Sequence, residues 1–329
     1  MVKTTLATKS VTLAVTRLAT GYLKEAAAAC ARLADPGDGE ALHDFRVALR
    51  RLRSLLRAYR PWLGGALPRK RIRKIGKLAR RTGAARDAEV QLAWLRAQQA
   101  AVNDSERPGV QWLLDHLNAR RDPEYRRLRD ELPTAFARLR KRLAVRLSAL
   151  GDEAAPPLGM AVAQRLRETA ADFQAHLEKV HGAAAEDEIH PARIAGKRLR
   201  YLLEPLAGEL GNGKELVKEL RRLQDLMGEI HDYQVLGAEL LQAAELAGAA
   251  RLHGLVEAGL QRAADPRGSR AAGVGEETDG LVRIGYLLHQ ARQDRTARLL
   301  ERIEAGEVDR FLDHLHGVCD RLQETAVTP

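Results

Sequence analysis

The feature that most constrains the fold of this chain is one helical segment, residues 42–63, with an apolar and a basic stripe side by side. At about 100° per residue, five large apolar side chains share one face: Leu42, Phe45, Leu49, Leu52 and Leu56. A histidine and four arginines fill an adjoining sector of roughly 80°: His43, Arg46, Arg50, Arg53 and Arg57. The apolar face has to pack against other helices, and the crowded cations resist burial unless an anion meets them. The segment therefore predicts a packed helix whose edge binds an anion.

The basic stripe returns 147 residues later, counted from His43 to His190. Five basic positions of the later segment match in register: His190, Arg193, Lys197, Arg198 and Arg200 against His43, Arg46, Arg50, Arg51 and Arg53. The next stripe position departs, because Glu204 stands where the first segment has Arg57. Five matches in register predict an internal duplication.

A second feature repeats after each of these segments. The turn around Gly83–Asp87 resembles the one around Gly228–Asp232. We expect a helix to end at each glycine, and Asp87 to cap the helix that follows. The helices before the two turns carry further basic residues: Arg73, Lys77 and Arg80 in the first copy, Lys218 and Arg222 in the second.

Composition and periodicity predict an all-α fold. Aromatic residues make up only 4% of the chain, and no stretch shows the sustained alternation typical of strands. Roughly a dozen helices with short connections predict two helical bundles packed together. The predicted divisions are a flexible N-terminus at 1–9, a first bundle at 10–150, a linker at 151–157 and a second bundle at 158–325. We also expect separate helices at 110–121 and 123–148, separate helices at 213–228, 232–248 and 251–263, and a mobile loop at 265–279.

The net charge of the chain indicates what kind of partner it binds. The formal net charge is +10 and the isoelectric point is about 9.8, so an anionic partner is expected. The two cysteines lie near opposite ends of the chain and predict neither a disulfide framework nor a metal site. The sequence shows no signal peptide and no run of about 20 apolar residues. We therefore expect a cytoplasmic protein.

The paired His-x-x-Arg-x-x-x-Arg/Lys-Arg-x-Arg helices, each followed by a Gly-x-x-Arg/His-Asp turn, resemble those of the CHAD family (conserved histidine α-helical domain). The resemblance runs from about Leu6 to Leu322. It implies two bundles of four-helix type, related by a pseudo-twofold axis, with basic helices that line a central groove or channel. It also implies binding of inorganic polyphosphate and residence at polyphosphate granules. Pro191 then requires the second motif helix to begin at or near His190.

From the stripes and this resemblance together, we predict sixteen polyphosphate-binding residues. They are His43, Arg46, Arg50, Arg51, Arg53, Arg57, Arg73, Lys77, Arg80, His190, Arg193, Lys197, Arg198, Arg200, Lys218 and Arg222. The two histidines either touch the anion or orient a neighbouring group. If the arginines only hold ligand, Arg46→Ala and Arg193→Ala should weaken binding alike and leave stability unchanged or slightly higher.

Three other functions use the same residues. A nucleic-acid-binding protein shares the phosphate repeat, but the stripes lack stacking aromatic residues and no helix-turn-helix is predicted. A polyphosphate-metabolising enzyme needs a metal-binding acid set or a nucleophile beside the stripes, and the sequence offers neither. A metal site is suggested by Glu40-x-x-His43, which is similar to the Glu-x-x-His of di-iron bundles, but four neighbouring arginines would repel a cation. We therefore predict no catalysis, no metal, no cofactor and no membrane partner, with nucleic acid as a weaker ligand.

Overall fold

A computed structural model of the chain describes residues 6–63, 65, 67–151, 155–181, 185–261 and 276–327. Within those ranges it contains ten α-helices and no β-strand, with one isolated bridge between Ser10 and Pro157. The helices are α1 (Val11–Arg32), α2 (Ala41–Ala58), α3 (Arg69–Arg81), α4 (Gly83–Ala97), α5 (Arg107–Ser148), α6 (Leu158–Leu177), α7 (Ala185–Leu203), α8 (Gly213–Gln261), α9 (Glu276–Glu304) and α10 (Glu307–Val327). The predicted all-α class is confirmed. The internal duplication and a shared central groove stay predictions.

The helices form two compact units, and four of the helices contribute to both: α5, α8 and α9, and α4 through Gly83 alone. The first unit comprises residues 1–83, 127–228 and 296–329, and the second comprises 84–126 and 229–295. Each unit therefore takes segments from both halves of the sequence. The predicted division between 10–150 and 158–325 follows the repeat instead. It stays a prediction, and residues 152–154 of its linker lie outside the described ranges.

The core of the first unit forms around the apolar stripe of α2. Helix α2 packs against α1, α3 and α7, and α6 packs against α7 and α10. All five predicted stripe residues are fully buried: Leu42, Phe45, Leu49, Leu52 and Leu56. The ring of Phe45 also meets Phe136 edge-to-face at 5.3 Å between centroids. Burial of five large side chains fixes the rotation of α2, and with it the direction of the basic stripe.

The second unit has its own core, made of leucine, valine, isoleucine and alanine side chains, which all come from α4, α5, α8 and α9 except Val102. Its buried cluster comprises Leu92, Leu95, Val102, Val110, Leu113, Leu114, Leu117, Leu240, Ala243, Ala247, Leu281 and Ile284. Trp94 lies against this cluster and packs edge-on to Tyr233 at 5.9 Å. None of the sixteen predicted binding residues belongs to this unit.

Several predicted helix ends are wrong. Helix α5 runs through Pro123 and α8 runs through Gly228, where breaks were predicted. A proline inside a helix removes one hydrogen bond and bends the helix, and α5 continues because Leu117 and Leu128 are buried on either side of it. Asp87 lies inside α4, which begins at Gly83, so it is not the N-cap of that helix.

Two predictions about irregular segments also change. Residues 6–9, placed in a flexible N-terminus, are held by hydrogen bonds from the Leu158 and Gly159 amides to the carbonyls of Lys9 and Ala7, at 2.7 and 2.9 Å. Residues 1–5 lie outside the described ranges. Of the predicted loop at 265–279, residues 276–279 belong to α9, and 265–275 lie outside the description.

The second motif helix begins earlier than expected. It was predicted to start at His190 so that Pro191 would fall in its first turn, but α7 starts at Ala185 and contains Pro191. The helix is kept on both sides of the proline by the buried side chains of Ile189, Ala192 and Leu199. The basic positions that follow therefore still lie on one continuous helix.

Candidate functional site

All sixteen predicted binding residues lie in the first unit, and the two motif helices, α2 and α7, pack directly against each other there. The apolar stripe of α2 is buried beneath them, so its basic stripe lies along the edge of the packed face. Arg50 and Arg53 are half-buried and Arg57 is exposed. Burial of the apolar stripe therefore leaves Arg50 and Arg53 partly desolvated at the edge of the packed face.

A groove of about 510 Å³ lies between the C-terminal end of α2, α3 and α6. Six arginines line it together with a proline and an isoleucine: Arg53, Arg57, Arg60, Arg69, Arg73, Arg165, Pro61 and Ile72. We call it the arginine groove. Its lining contains no acidic residue, although Arg165 is paired with Glu168 outside the lining.

A cavity of about 600 Å³ adjoins the arginine groove on the α7 side and shares Arg53, Arg57 and Arg165 with it. It adds three further cations, Arg50, Lys197 and Arg198. This cavity is less strongly basic, because Glu168 and Asp172 of α6 also line it and Asp172 lies 3.4 Å from the Arg198 guanidinium. Cations of both motif helices thus line one cavity, and the arginine groove beside it has no acidic residue in its lining.

Arg53 is the most crowded cation of the groove. Burial of its guanidinium lowers the pKa of Arg53, and repulsion from Arg57, Arg80 and Arg198 lowers the pKa further. An arginine stays protonated in spite of this, so the folded protein holds like charges together at a cost in Coulomb energy. Among the described residues, no acidic side chain forms an ion pair with Arg53 or Arg57. A bound polyanion would remove that repulsion.

Gly76 of α3 lets the Arg53 guanidinium approach so closely. A Cβ atom at Gly76 would lie 3.1 Å from both Cζ and Nε of Arg53. The nearby Arg50 has an unsatisfied donor, because its buried Nε has no hydrogen-bond partner in the described part of the chain. The Arg53 guanidinium therefore lies in the wall of the arginine groove, and that of Arg50 lies in the wall of the adjoining cavity.

Two predicted binding residues instead belong to an ion-pair cluster around Glu204. Arg51 Nε donates to Glu204 Oε2 at 3.2 Å, and Arg200 Nε lies 3.2 Å from Oε1. Arg221 approaches the same carboxylate at 3.8 Å. The Glu204 side chain is only 12% exposed, so these contacts are largely desolvated. Glu204, which departs from the repeat, therefore holds Arg51 and Arg200 in ion pairs within the fold, although both were predicted to bind the ligand.

Arg46 also has a structural role. Its Nη1 donates to the carbonyl of Ala79 at 3.2 Å and to the hydroxyl of Thr82 at 2.9 Å. Thr82 is fully buried and donates its own hydroxyl to Ala79 at 2.7 Å. A basic side chain at the last carbonyls of a helix stabilises that end. In the second copy buried Met227 takes the place of Thr82, and α8 continues without a break.

Arg46→Ala is therefore expected to lower the free energy of unfolding, by about 1–3 kcal/mol, because it leaves a buried hydroxyl and a helix end with fewer partners. This replaces the expectation from sequence that stability holds. Urea unfolding of Arg46→Ala beside Arg57→Ala, an exposed arginine of the same helix, measures the difference. Equal stability of the two variants would contradict the capping role.

Six further predicted residues lie on four helices. Lys77 and Arg80 are exposed on α3, and Lys218 and Arg222 are exposed on α8 outside both cavities. His43 is half-buried on α2. His190 is exposed at the surface, and partial desolvation, followed by the charges of Arg193 and Lys197, lowers its pKa. The His190 imidazole is therefore neutral at neutral pH, and it can donate one hydrogen bond beside Arg193 and Lys197.

Three arginines of the groove are not among the sixteen predicted residues: Arg60, Arg69 and Arg165. Arg60 lies in a 3₁₀ turn after α2 and Arg69 in the first turn of α3, so both belong to basic runs that the sequence shows. Arg165 lies on α6, outside either repeat, and its Nε donates to the carbonyl of Ala58 at 2.9 Å. Only the packing of α6 on its neighbours reveals it.

In the described ranges, no three His, Cys, Asp or Glu side chains are grouped so as to hold a metal ion. The same ranges contain no helix with the length and hydropathy to cross a bilayer.

Comparison with known proteins supports the fold and the family. The profile of the CHAD domain matches residues 17–242. The CHAD domain from the plant Ricinus communis superposes with a TM-score of 0.60 at 23% identity, over 84% of this chain and 93% of that structure. PptA from Streptomyces chartreusis superposes with a TM-score of 0.52 at 16% identity, over 85% of this chain and 98% of that structure. No curated protein matches.

Proposed function

Because the chain belongs to the CHAD domain family, we propose that it binds inorganic polyphosphate in the arginine groove and does not turn it over. The observation that carries the proposal is the acid-free lining of that groove, with six arginines around about 510 Å³. Guanidinium groups present planar forks of donors that match phosphate oxygens and stay charged at every cellular pH. Polyphosphate offers a charged oxygen to each fork in turn.

The main alternative ligand is nucleic acid. Proteins that hold single strands combine a basic groove with aromatic side chains on which bases stack. The lining of the arginine groove contains no aromatic residue, and the single tyrosine that lines the adjoining cavity, Tyr201, is only 5% exposed. The site therefore offers contacts to phosphate and few to bases.

Competition between ligands tests the proposal. We expect polyphosphate to displace fluorescent duplex DNA and single-stranded RNA of equal charge at fixed salt, because the groove offers phosphate contacts alone. We also expect the affinity for polyphosphate to fall steeply as the salt concentration rises, since each neutralised phosphate releases counterions. Equal or tighter binding of either nucleic acid would favour the alternative.

Polyphosphate cleavage is the third function to test. Arginines hold phosphates, but hydrolysis also needs an activated water, for which enzymes commonly use a metal or a general base. We expect no phosphate release from polyphosphate or nucleotides, with or without magnesium. Release above a protein-free blank that is lost in an Arg53→Gln variant would show that the groove is catalytic.

Gly76→Ala gives a local test of the groove. The added Cβ would press on the Arg53 guanidinium at 3.1 Å, so we expect weaker polyphosphate binding, by roughly threefold to tenfold, with little loss of stability because alanine favours a helix by about 1 kcal/mol. Gly21→Ala in α1 is the matched control, since nothing lies within 4 Å of its added Cβ. Titration calorimetry of both variants would contradict this assignment if they bound equally.

Residence at polyphosphate granules follows from the same proposal. A protein whose groove binds polyphosphate chains is expected to concentrate wherever those chains accumulate. A fluorescent fusion should therefore co-localise with granules, and the Arg53→Gln variant should spread away from them. Co-localisation that survives this change would assign granule residence to another surface.

A further inference from the structure

Helix α3 carries basic side chains around much of its circumference. At about 100° per residue they cover an arc of roughly 200°, in the order Arg69, Arg80, Arg73, Lys77, Lys70, Arg81, Lys74 and Arg71. One edge of this arc, with Arg69 and Arg73, lines the arginine groove. The opposite edge, with Arg71 and Lys74, faces a different neighbour. The basic surface of α3 therefore continues well past the groove described above.

A second groove, of about 500 Å³, lies on that far side, between α3 and the C-terminal part of α5 within the first unit. Its lining comprises Arg71, Lys74, Lys77, Leu78, Arg81, Ala135, Arg138, Leu139, Arg142 and Leu143. Arg81 is paired with Glu131 of α5. Within the described residues no acid forms an ion pair with the other five cations. This α5 groove is thus a second acid-free basic surface.

Lys77 joins the two grooves. It lines the α5 groove, and on the α3 arc it comes directly after Arg73, which lines the arginine groove. The path between the grooves crosses part of one helix, whose diameter with side chains is about 10–12 Å. A short anion can occupy one groove only, whereas a long flexible polyanion can occupy both at once.

We propose that a long polyphosphate chain crosses α3 and binds in both grooves, so that the α5 groove is a second site that selects for chain length. The inference rests on the proposed function of the arginine groove. Linking two contacts through one ligand makes the second contact intramolecular, which raises the affinity of long chains without changing that of short ones. Tripolyphosphate is expected to use the arginine groove alone.

The test compares two double variants of α5 with the unchanged protein. Arg138→Gln/Arg142→Gln removes two exposed cations from the α5 groove, and Arg140→Gln/Arg146→Gln removes two exposed cations of the same helix outside its lining. Both change the net charge equally. Calorimetric titration with tripolyphosphate and with long-chain polyphosphate is measured at one salt concentration, beside thermal melts.

The groove variant is expected to lose about tenfold in affinity for long chains, as two partly solvated charge contacts are removed. Its affinity for tripolyphosphate should match that of the control variant. Equal long-chain affinities in the two variants would overturn the second site, as would an equal loss for both ligands in the groove variant. If the unchanged protein bound neither ligand, the proposed function itself would fail.

Discussion

Arg53→Gln is expected to weaken polyphosphate binding by about 1.5–3 kcal/mol, or roughly tenfold to a hundredfold, without loss of stability. The Arg53 guanidinium lies beside Arg57, Arg80 and Arg198. Burial lowers the pKa of Arg53 most, and the three neighbouring charges lower it further. Removal of this guanidinium relieves repulsion in the free protein and deletes a charge-assisted contact in the complex. Calorimetric titration gives the change in affinity, and urea unfolding in ligand-free buffer gives the change in stability.

Arg51→Gln is the matched control, two residues away on the same helix. Arg51 donates to Glu204 at 3.2 Å and lies 3.8 Å from Glu25, so its charge is already neutralised. We expect this variant to lose stability and to keep most of its affinity. A larger loss of affinity for Arg51→Gln than for Arg53→Gln would mean that the site lies around Glu204 instead of in the arginine groove.

Glu204→Gln is expected to lower the free energy of unfolding by about 3 kcal/mol, because breaking a largely buried ion pair leaves its partners uncompensated. The carboxylate is 12% exposed and lies within 3.8 Å of three guanidinium groups, those of Arg51, Arg200 and Arg221. Polyphosphate affinity should hold or rise, since the change removes one negative charge from the surroundings of the groove. Chemical unfolding and titration of the same variant give both values.

Glu25→Gln provides the comparison for that change. Glu25 is 54% exposed and approaches Arg51 only to 3.8 Å, and exposed pairs of this kind contribute about 0–1 kcal/mol. Its removal should therefore leave stability nearly unchanged. If Glu204→Gln were as mild as Glu25→Gln, the cluster around Glu204 would not be structural.

The sequence predicted the features that depend on helical periodicity. The apolar stripe of α2 is buried at every predicted position, from Leu42 to Leu56, because burial of large side chains sets the rotation of a helix. The same rotation places Arg50, Arg53 and Arg57 along the edge of the core, in the two cavities. Five of the sixteen predicted residues line the cavity that joins both motif helices: Arg50, Arg53, Arg57, Lys197 and Arg198.

The sequence could not show which cations are neutralised within the fold. Arg46 and Arg53 occupy equivalent stripe positions, yet Arg46 caps α3 through Thr82 while Arg53 lies among other arginines. That difference depends on where α3 ends, which is a tertiary property. Arg165 reaches the groove from α6, outside any repeat. The continuity of α5 through Pro123 likewise depends on packing on both sides of the proline.

A crystal structure of the protein with tripolyphosphate would test the central claim most directly. We expect phosphate oxygens within hydrogen-bond distance of Arg53 and Arg57, with Arg69 or Arg73 of α3 on the other side of the anion. We also expect the ion pairs of Glu204 with Arg51 and Arg200 to remain in place. Phosphate bound at Arg51 or Arg200 with Glu204 displaced, and the arginine groove left empty, would contradict that claim.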